Sequence, residues 1–171
     1  ADANRRVLAI TGGKGGVGQT TTALGVAAAA ARRGREPVVV DLDSDLPDLA
    51  TVAGTDGKGL ARFATGDRLD VAGTRVAGVT VLGARLGDDD LVEPALRRLS
   101  DARRFVVVDS PAGAGEPAAR PLASATRSVV VTTGTDRALA DGRKAADMAE
   151  RLGAPPVCVA RCSSEDGGVA D

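Results

Sequence analysis

The chain has 171 residues, 22 Lys+Arg against 23 Asp+Glu for a net charge of −1, and is 43% hydrophobic but only 1% aromatic. That length and apolar content suit one domain with a substantial core and exclude wholesale disorder. With two Phe, no Trp, no Tyr and no His, the composition excludes aromatic stacking platforms for single-stranded nucleic acid and Ser-His-Asp or Cys-His catalysis, and the near-zero charge marks no nucleic-acid surface.

Residues Ala1 to Arg6 are polar and charged and do not read as a signal segment. Val7 to Thr11 is a short, continuously apolar run that predicts a strand buried on both faces. A glycine-rich loop follows, then a helix over Thr20 to Arg33, with Gly34 where a C-terminal cap belongs. Further strands are expected at Pro37 to Leu42, Val79 to Leu82, Phe105 to Val108, Val129 to Thr133 and Pro156 to Val159. Helices are expected at Gly59 to Ala64, Val92 to Ala102, Pro117 to Ala125 and Arg137 to Leu152, the last capped by Gly153. The charge run Asp88-Asp89-Asp90 reads as a solvated loop. Cys158 and Cys162 lie on an apolar run and read as free, buried small hydrophobes. Two Cys make neither a disulfide scaffold nor a four-thiolate zinc site. This alternation predicts a three-layer α/β domain over residues 1–162, with a mainly parallel sheet flanked by helices and a polar tail at 163–171. The apolar run Ala23 to Ala31 is too short to cross a bilayer. The expected setting is soluble and reducing, hence cytoplasmic.

The strongest chemical signal follows the first strand. Gly13-Lys14-Gly15-Gly16-Val17-Gly18-Gln19-Thr20 fits the phosphate-loop pattern G-x-x-x-x-G-K-[ST] at every fixed position but one. Glycines let successive backbone N–H groups turn inward toward phosphate oxygens, and the next helix presents the positive end of its dipole to the same anion. Thr20 supplies a hydroxyl suited to Mg2+. The exception is Gln19, a neutral amide where the pattern has a lysine. Charge-assisted hydrogen bonds are about twice as strong as neutral ones, so nucleotide affinity should fall and phosphoryl transfer should fall steeply.

Gly12-Gly13-Lys14-Gly15-Gly16-Val17-Gly18-Gln19-Thr20-Thr21-Thr22 resembles the deviant Walker A motif K-G-G-x-G-K-T of the MinD/ParA ATPases, with Lys14 at the early lysine. Val40-Asp41-Leu42-Asp43 resembles the family's segment after the second strand. Phe105-Val106-Val107-Val108-Asp109-Ser110-Pro111-Ala112-Gly113 closely matches the D-S-P-A-G switch, which favours the MinD side. Val131-Thr132-Thr133 and the helix after it resemble the next strand and helix, so the likeness runs from about residue 6 to 162.

The resemblance implies a P-loop fold that binds ATP or ADP with Mg2+ through Gly13, Lys14, Gly15, Gly16, Val17, Gly18, Gln19, Thr20 and Thr21. It implies a nucleotide-dependent homodimer in which Lys14 reaches the partner's phosphates. Thr20 would bind Mg2+, Asp109 would hold it through a water, Asp43 would orient the attacking water, and Gly113 would sense the γ-phosphate. ATP binding would then recruit a partner and hydrolysis would release it, a population-shift switch in division-site placement or spatial organisation.

The residues also allow simpler readings: Asp43 as a cap for the segment after its strand, and Lys14 as a solvated charge. Two further departures stand beside Gln19. Ala160-Arg161 occupies the place of the family's adenine-reading Asn-Arg pair, and residues 163–171 show neither the amphipathic anchor of MinD nor a basic patch of the ParA kind. Two functions remain open: a MinD-like switch with weak hydrolysis, and a non-enzymatic pseudo-ATPase module that pairs with an active relative or another protein. An iron–sulfur carrier or nitrogenase iron protein relative is weaker, because no C-x-x-C pair is present.

Overall fold

Runs of valine, whose branched side chain suits a pleated sheet, alternate with Ala- and Leu-rich stretches of helical spacing. The computed structural model describes residues 7–101 and 104–162. In chain order these form β1 (Val7–Gly12), α1 (Gln19–Arg32), β2 (Val38–Asp41), α2 (Leu49–Ala53), α3 (Gly59–Ala64), α4 (Leu69–Ala72), β3 (Thr74–Val76), β4 (Val79–Leu82), α5 (Asp89–Ser100), β5 (Val106–Asp109), α6 (Glu116–Ser124), β6 (Arg127–Thr132), α7 (Asp136–Arg151) and β7 (Pro156–Arg161). The expected polar tail at 163–171 and the N-terminal segment 1–6 lie outside the described residues.

The strands make one seven-stranded sheet in the order β3-β4-β2-β5-β1-β6-β7. All neighbours are parallel except β3, which runs antiparallel to β4. Side-chain alternation divides the core in two. Ala9, Val38, Val40, Val106 and Val108 join a cluster with α3, α5, α6 and α7, whereas Ile10, Val39, Val107, Val129 and Val131 join a second with α1 and α2. A period of two placing successive residues in opposite clusters is what a sheet with helices on both faces requires. Each fully buried valine contributes on the order of 1.5–3 kcal/mol relative to exposure, so the central strands anchor the domain without aromatic residues.

The expected strands and helices are present, with ends shifted by a few residues at most. Four features differ. The one-turn helices α2 and α4 and the three-residue β3 are too short for a periodic pattern to reveal. The hairpin joining β3 to β4 turns on Ala77 and Gly78, at φ 46° and 84°, as a two-residue turn with positive φ demands. Asp88-Asp89-Asp90 is no plain loop. Asp89 and Asp90 fill the first turn of α5, where carboxylates complement the helix dipole, and the Asp88 carboxylate accepts from the Arg85 N–H at 2.8 Å. β7 is not buried on both faces, because it is the last strand of the sheet: Val157 and Val159 are 57% and 61% exposed. Cys158 is accordingly exposed and Cys162 half-buried, a correction to the expectation of buried thiols. Among the described residues no helix is long and apolar enough to cross a membrane.

The chain leaves β1 toward β2 on one side and leaves β6 toward β7 on the other, with α1 and α7 on opposite faces. The β1–β6 boundary is therefore a point where the strand order reverses, and open α/β sheets hold ligands outside the strand carboxyl ends near such points. Gly12, Asp41 and Asp109 close β1, β2 and β5 there.

Candidate functional site

The loop from Gly13 to Gly18 joins β1 to α1. Gly16 and Gly18 adopt φ 76° and 95°, left-handed values that a side chain would strain. Between them Val17 is buried in the core, which anchors the loop. Gly18 caps α1 without a side-chain bond, and no acidic residue occupies the first turn. The free N–H groups and the positive end of the helix thus meet no competing protein carboxylate in that turn. The opposite end of the loop is set by packing: a Cβ on Gly13 would lie 2.1 Å from the Asp141 carbonyl carbon of α7.

A cavity of about 290 Å³ opens beside this loop. Gly16, Gly18, Gln19, Thr20 and Thr21 line one wall, and Asp43, Asp48 and Asp109 line the other. Among the described residues no lysine or arginine lines the cavity. Lys14 is exposed at the loop tip and is not on the wall of its own cavity. Gly113 is likewise off the wall, and its N–H donates to the Gly12 carbonyl at 2.8 Å.

The segment after β5 is tied twice more to the elements that flank the loop, β1 and α1. The Ser110 N–H donates to the Ile10 carbonyl at 3.1 Å, and the buried Gln19 amide donates through Nε2 to the Ser110 carbonyl at 3.2 Å. The Thr20 hydroxyl lies 2.6 Å from Asp109 Oδ2 and 2.6 Å from Asp48 Oδ1. Asp43 lies on the wall, and its Oδ1 accepts the Leu46 N–H at 3.1 Å, a bond within the turn before α2, whose N-cap position is Asp48.

Asp41 and Asp109 are register partners on adjacent strands, both almost fully buried. Burial and then the facing Asp109 hold the Asp41 carboxyl at a pKa of about 7, against the N–H groups of Asp43 and Leu49 that favour its charged form. Burial likewise raises Asp109 to about 7, opposed by the Thr20 hydroxyl and reinforced by Asp48 and Asp43. Thr20 and the carboxylates form a hard oxygen set suited to Mg2+, and the loop N–H groups suit an anion.

Asp48 and Ser110 were not singled out by motif reasoning. Asp48 precedes a helix too short to be seen in the sequence, and Ser110 stood inside a recognised pentapeptide whose signal fell on its neighbours. Asp41 was visible in the same way but carried no assigned role. Its weight comes from facing Asp109, a pairing that only the sheet register creates.

Comparison with known proteins sharpens this picture. The family described as the CobQ/CobB/MinD/ParA nucleotide binding domain matches residues 8–155. The septum site-determining protein MinD of Synechocystis is 28% identical over 158 residues, covering 85% of this chain and 59% of that protein. The chain thus spans about three fifths of the length of that relative. Among solved structures, the cell division ATPase MinD of Pyrococcus furiosus superposes with a TM-score of 0.74 at 26% identity, covering 90% of this chain and 70% of that one. Cobyrinic acid a,c-diamide synthase of Mycobacterium smegmatis, solved with ADP and magnesium, gives 0.65 at 26% identity, covering 90% and 71%.

Proposed function

Since the chain belongs to the CobQ/CobB/MinD/ParA nucleotide-binding domain family, we propose that it is a MinD/ParA-like switch that binds ATP or ADP with Mg2+ on the loop from Gly12 to Thr21 and hydrolyses ATP slowly. The observation that carries this reading is the loop itself. Left-handed Gly16 and Gly18 lead into an α1 terminus with no acidic residue in its first turn, and this opens on a cavity with oxygen donors opposite. Backbone N–H groups and the helix end hold the phosphates. Thr20 and, through a water, Asp109 would hold Mg2+, which would supply positive charge beside the phosphates. The Mycobacterium smegmatis neighbour, solved with ADP and magnesium, supports that cofactor.

Asp43 orients the attacking water from the cavity wall. Gly113, whose N–H is held by the Gly12 carbonyl, would sense the γ-phosphate. Lys14, exposed and outside its own cavity, serves the partner's site in a nucleotide-dependent homodimer. The relatives named septum site-determining proteins support a place in division-site selection or spatial organisation. Slow hydrolysis follows from Gln19, which brings no charge to the phosphates.

A second reading has its own support. The Gln19 amide is already engaged with the Ser110 carbonyl, and among the described residues no cationic side chain lines the cavity; both favour a pseudo-ATPase module that binds a protein partner without turnover. Calorimetric titration with ATP and ADP in Mg2+ separates the two. Heat and a thermal shift are expected, and silence at millimolar nucleotide would leave only the binding module.

A further inference from the structure

Thr11 carries the last side chain of β1 before the glycine-rich loop. It is fully buried, and its hydroxyl oxygen has no hydrogen-bond partner among the described residues. Ser110, the first residue after β5, is 2% exposed, and its Oγ is likewise buried without a partner among them. Buried hydroxyls are rarely left unpaired, because each one that is gives up its hydration for nothing.

The fold brings these two hydroxyls to one place. Ile10 is the register partner of Asp109, and the Ser110 N–H donates to the Ile10 carbonyl at 3.1 Å, so the parallel ladder runs on and sets Thr11 opposite Ser110. Both side chains take the same face. Ile10 belongs to the cluster with α1 and Ala9 to the opposite one, so alternation turns Thr11 toward α6 and α7. The Asp109 carboxylate reaches Thr20 of α1. Ser110 precedes Pro111, which keeps it extended, so its side chain turns away from α1, to the side of Thr11.

The spacing fits one water molecule. Neighbouring strands stand about 4.8 Å apart, whereas a direct O–H···O bond spans only about 2.8 Å, and no bond joins the two hydroxyls. Two such bonds meeting at one tetrahedral oxygen span about 4.6 Å. Each hydroxyl can donate or accept, so the pair supplies the two polar partners that a buried water needs at the least. The residues above this row are small. Gly142 of α7 lies against Val130, the register partner of Thr11 on β6, and Ala118 and Ala138 are buried in the first turns of α6 and α7.

We propose that Thr11 and Ser110 form an internal water site: one buried water bridges the two hydroxyls on the face of the sheet away from the cavity and fixes the segment after β5 to the end of β1. Ser110 is then held from both faces, its carbonyl by the Gln19 amide and its hydroxyl by the water. Both residues act as positioning residues for the segment 110–113. The proposal is independent of the nucleotide reading, since neither hydroxyl takes part in it.

The test uses the whole chain without nucleotide. Water–amide cross-relaxation in NMR reads a long-lived buried water, and a high-resolution crystal structure locates its oxygen. A water is expected within hydrogen-bond distance of both hydroxyls. Ser110→Ala and Thr11→Val each remove one partner and strand the other. Each should abolish the water signal, lower the thermal midpoint by at least about 2–4 °C, and speed amide exchange at Ala112 and Gly113. The double variant should lose less than the two single losses added, because no hydroxyl is left stranded. Thr11→Ser keeps the hydroxyl and should keep the water. A dry site in the wild type would overturn the proposal, as would a water signal that survives both single variants or a midpoint that rises in both. If neither single variant folds, the wild type and Thr11→Ser decide it alone.

Discussion

Gln19 Nε2 donates to the Ser110 carbonyl oxygen at 3.2 Å, so the residue that departs from the phosphate-loop pattern joins the loop to the segment after β5. Both partners are buried, at 8% and 2% exposure. Gln19 therefore differs from a loop lysine in two ways: it brings no positive charge to the cavity, and it makes a neutral tether between the start of α1 and the segment after β5.

Replacing Gln19 by Lys should raise ATP turnover, because a full charge then faces the developing charge of phosphoryl transfer. Steady-state phosphate release measures it, and a rise of at least about tenfold is expected from one charge-assisted contact. Gln19→Ala should loosen the tether without that gain. Amide hydrogen exchange at 110–113 should speed up in Gln19→Ala, while turnover stays at or below the wild-type rate.

The pairing of Asp41 with Asp109 predicts a pH dependence of stability. Both carboxyls are held at about 7, above their unfolded value of 3.8. The folded protein therefore binds more protons than the unfolded chain between about pH 4 and 7. Their stabilising contribution is complete below about pH 4 and is lost as pH rises through about 7. Denaturant melts of the metal-free protein should show Asp41→Asn less sensitive to pH than wild type across this window. Binding of Mg2+ with nucleotide should release protons near pH 7, seen as a buffer-dependent heat.

Gly13 should not tolerate even one methyl group. Its ideal Cβ lies 2.1 Å from backbone of Asp141 and 2.5 Å from the Asp141 Cβ, so α7 must shift or the loop must lift. Gly13→Ala is expected to cost about 1–3 kcal/mol by overpacking, read as a lowered denaturation midpoint, and to weaken nucleotide binding by moving the loop. Gly15→Ala is the control for stability, since nothing lies within 4 Å of its Cβ position.

Ala77 offers a change in the opposite direction. It holds φ 46° in the β3–β4 turn and is the one non-glycine residue with positive φ among those described. Ala77→Asn or Ala77→Gly suits that conformation better, and a gain of about 0.5–1 kcal/mol is expected by denaturant unfolding. Nucleotide affinity should be unchanged, because the turn lies outside the cavity wall.

Much of this protein is legible in one dimension. Valine runs and Ala-rich helical stretches mark the sheet and its two helical layers because burial on both faces demands unbroken apolar strands. The glycine spacing between β1 and α1 marks the phosphate loop because only that backbone can wrap an anion. Gln19 is visible as a departure for the same reason. Other features follow from position in space. Whether a strand is central or at an edge depends on sheet order, which is why Cys158 is exposed although its neighbours are apolar. That Asp41 faces Asp109 is a matter of register between strands far apart in the chain. The convergence of Asp48, Thr20 and Asp109 on one point joins a turn, a helix start and a strand end. Composition and periodicity constrain neighbours along the chain, whereas the charge balance of a cavity is set by which side chains the folded sheet brings together across it.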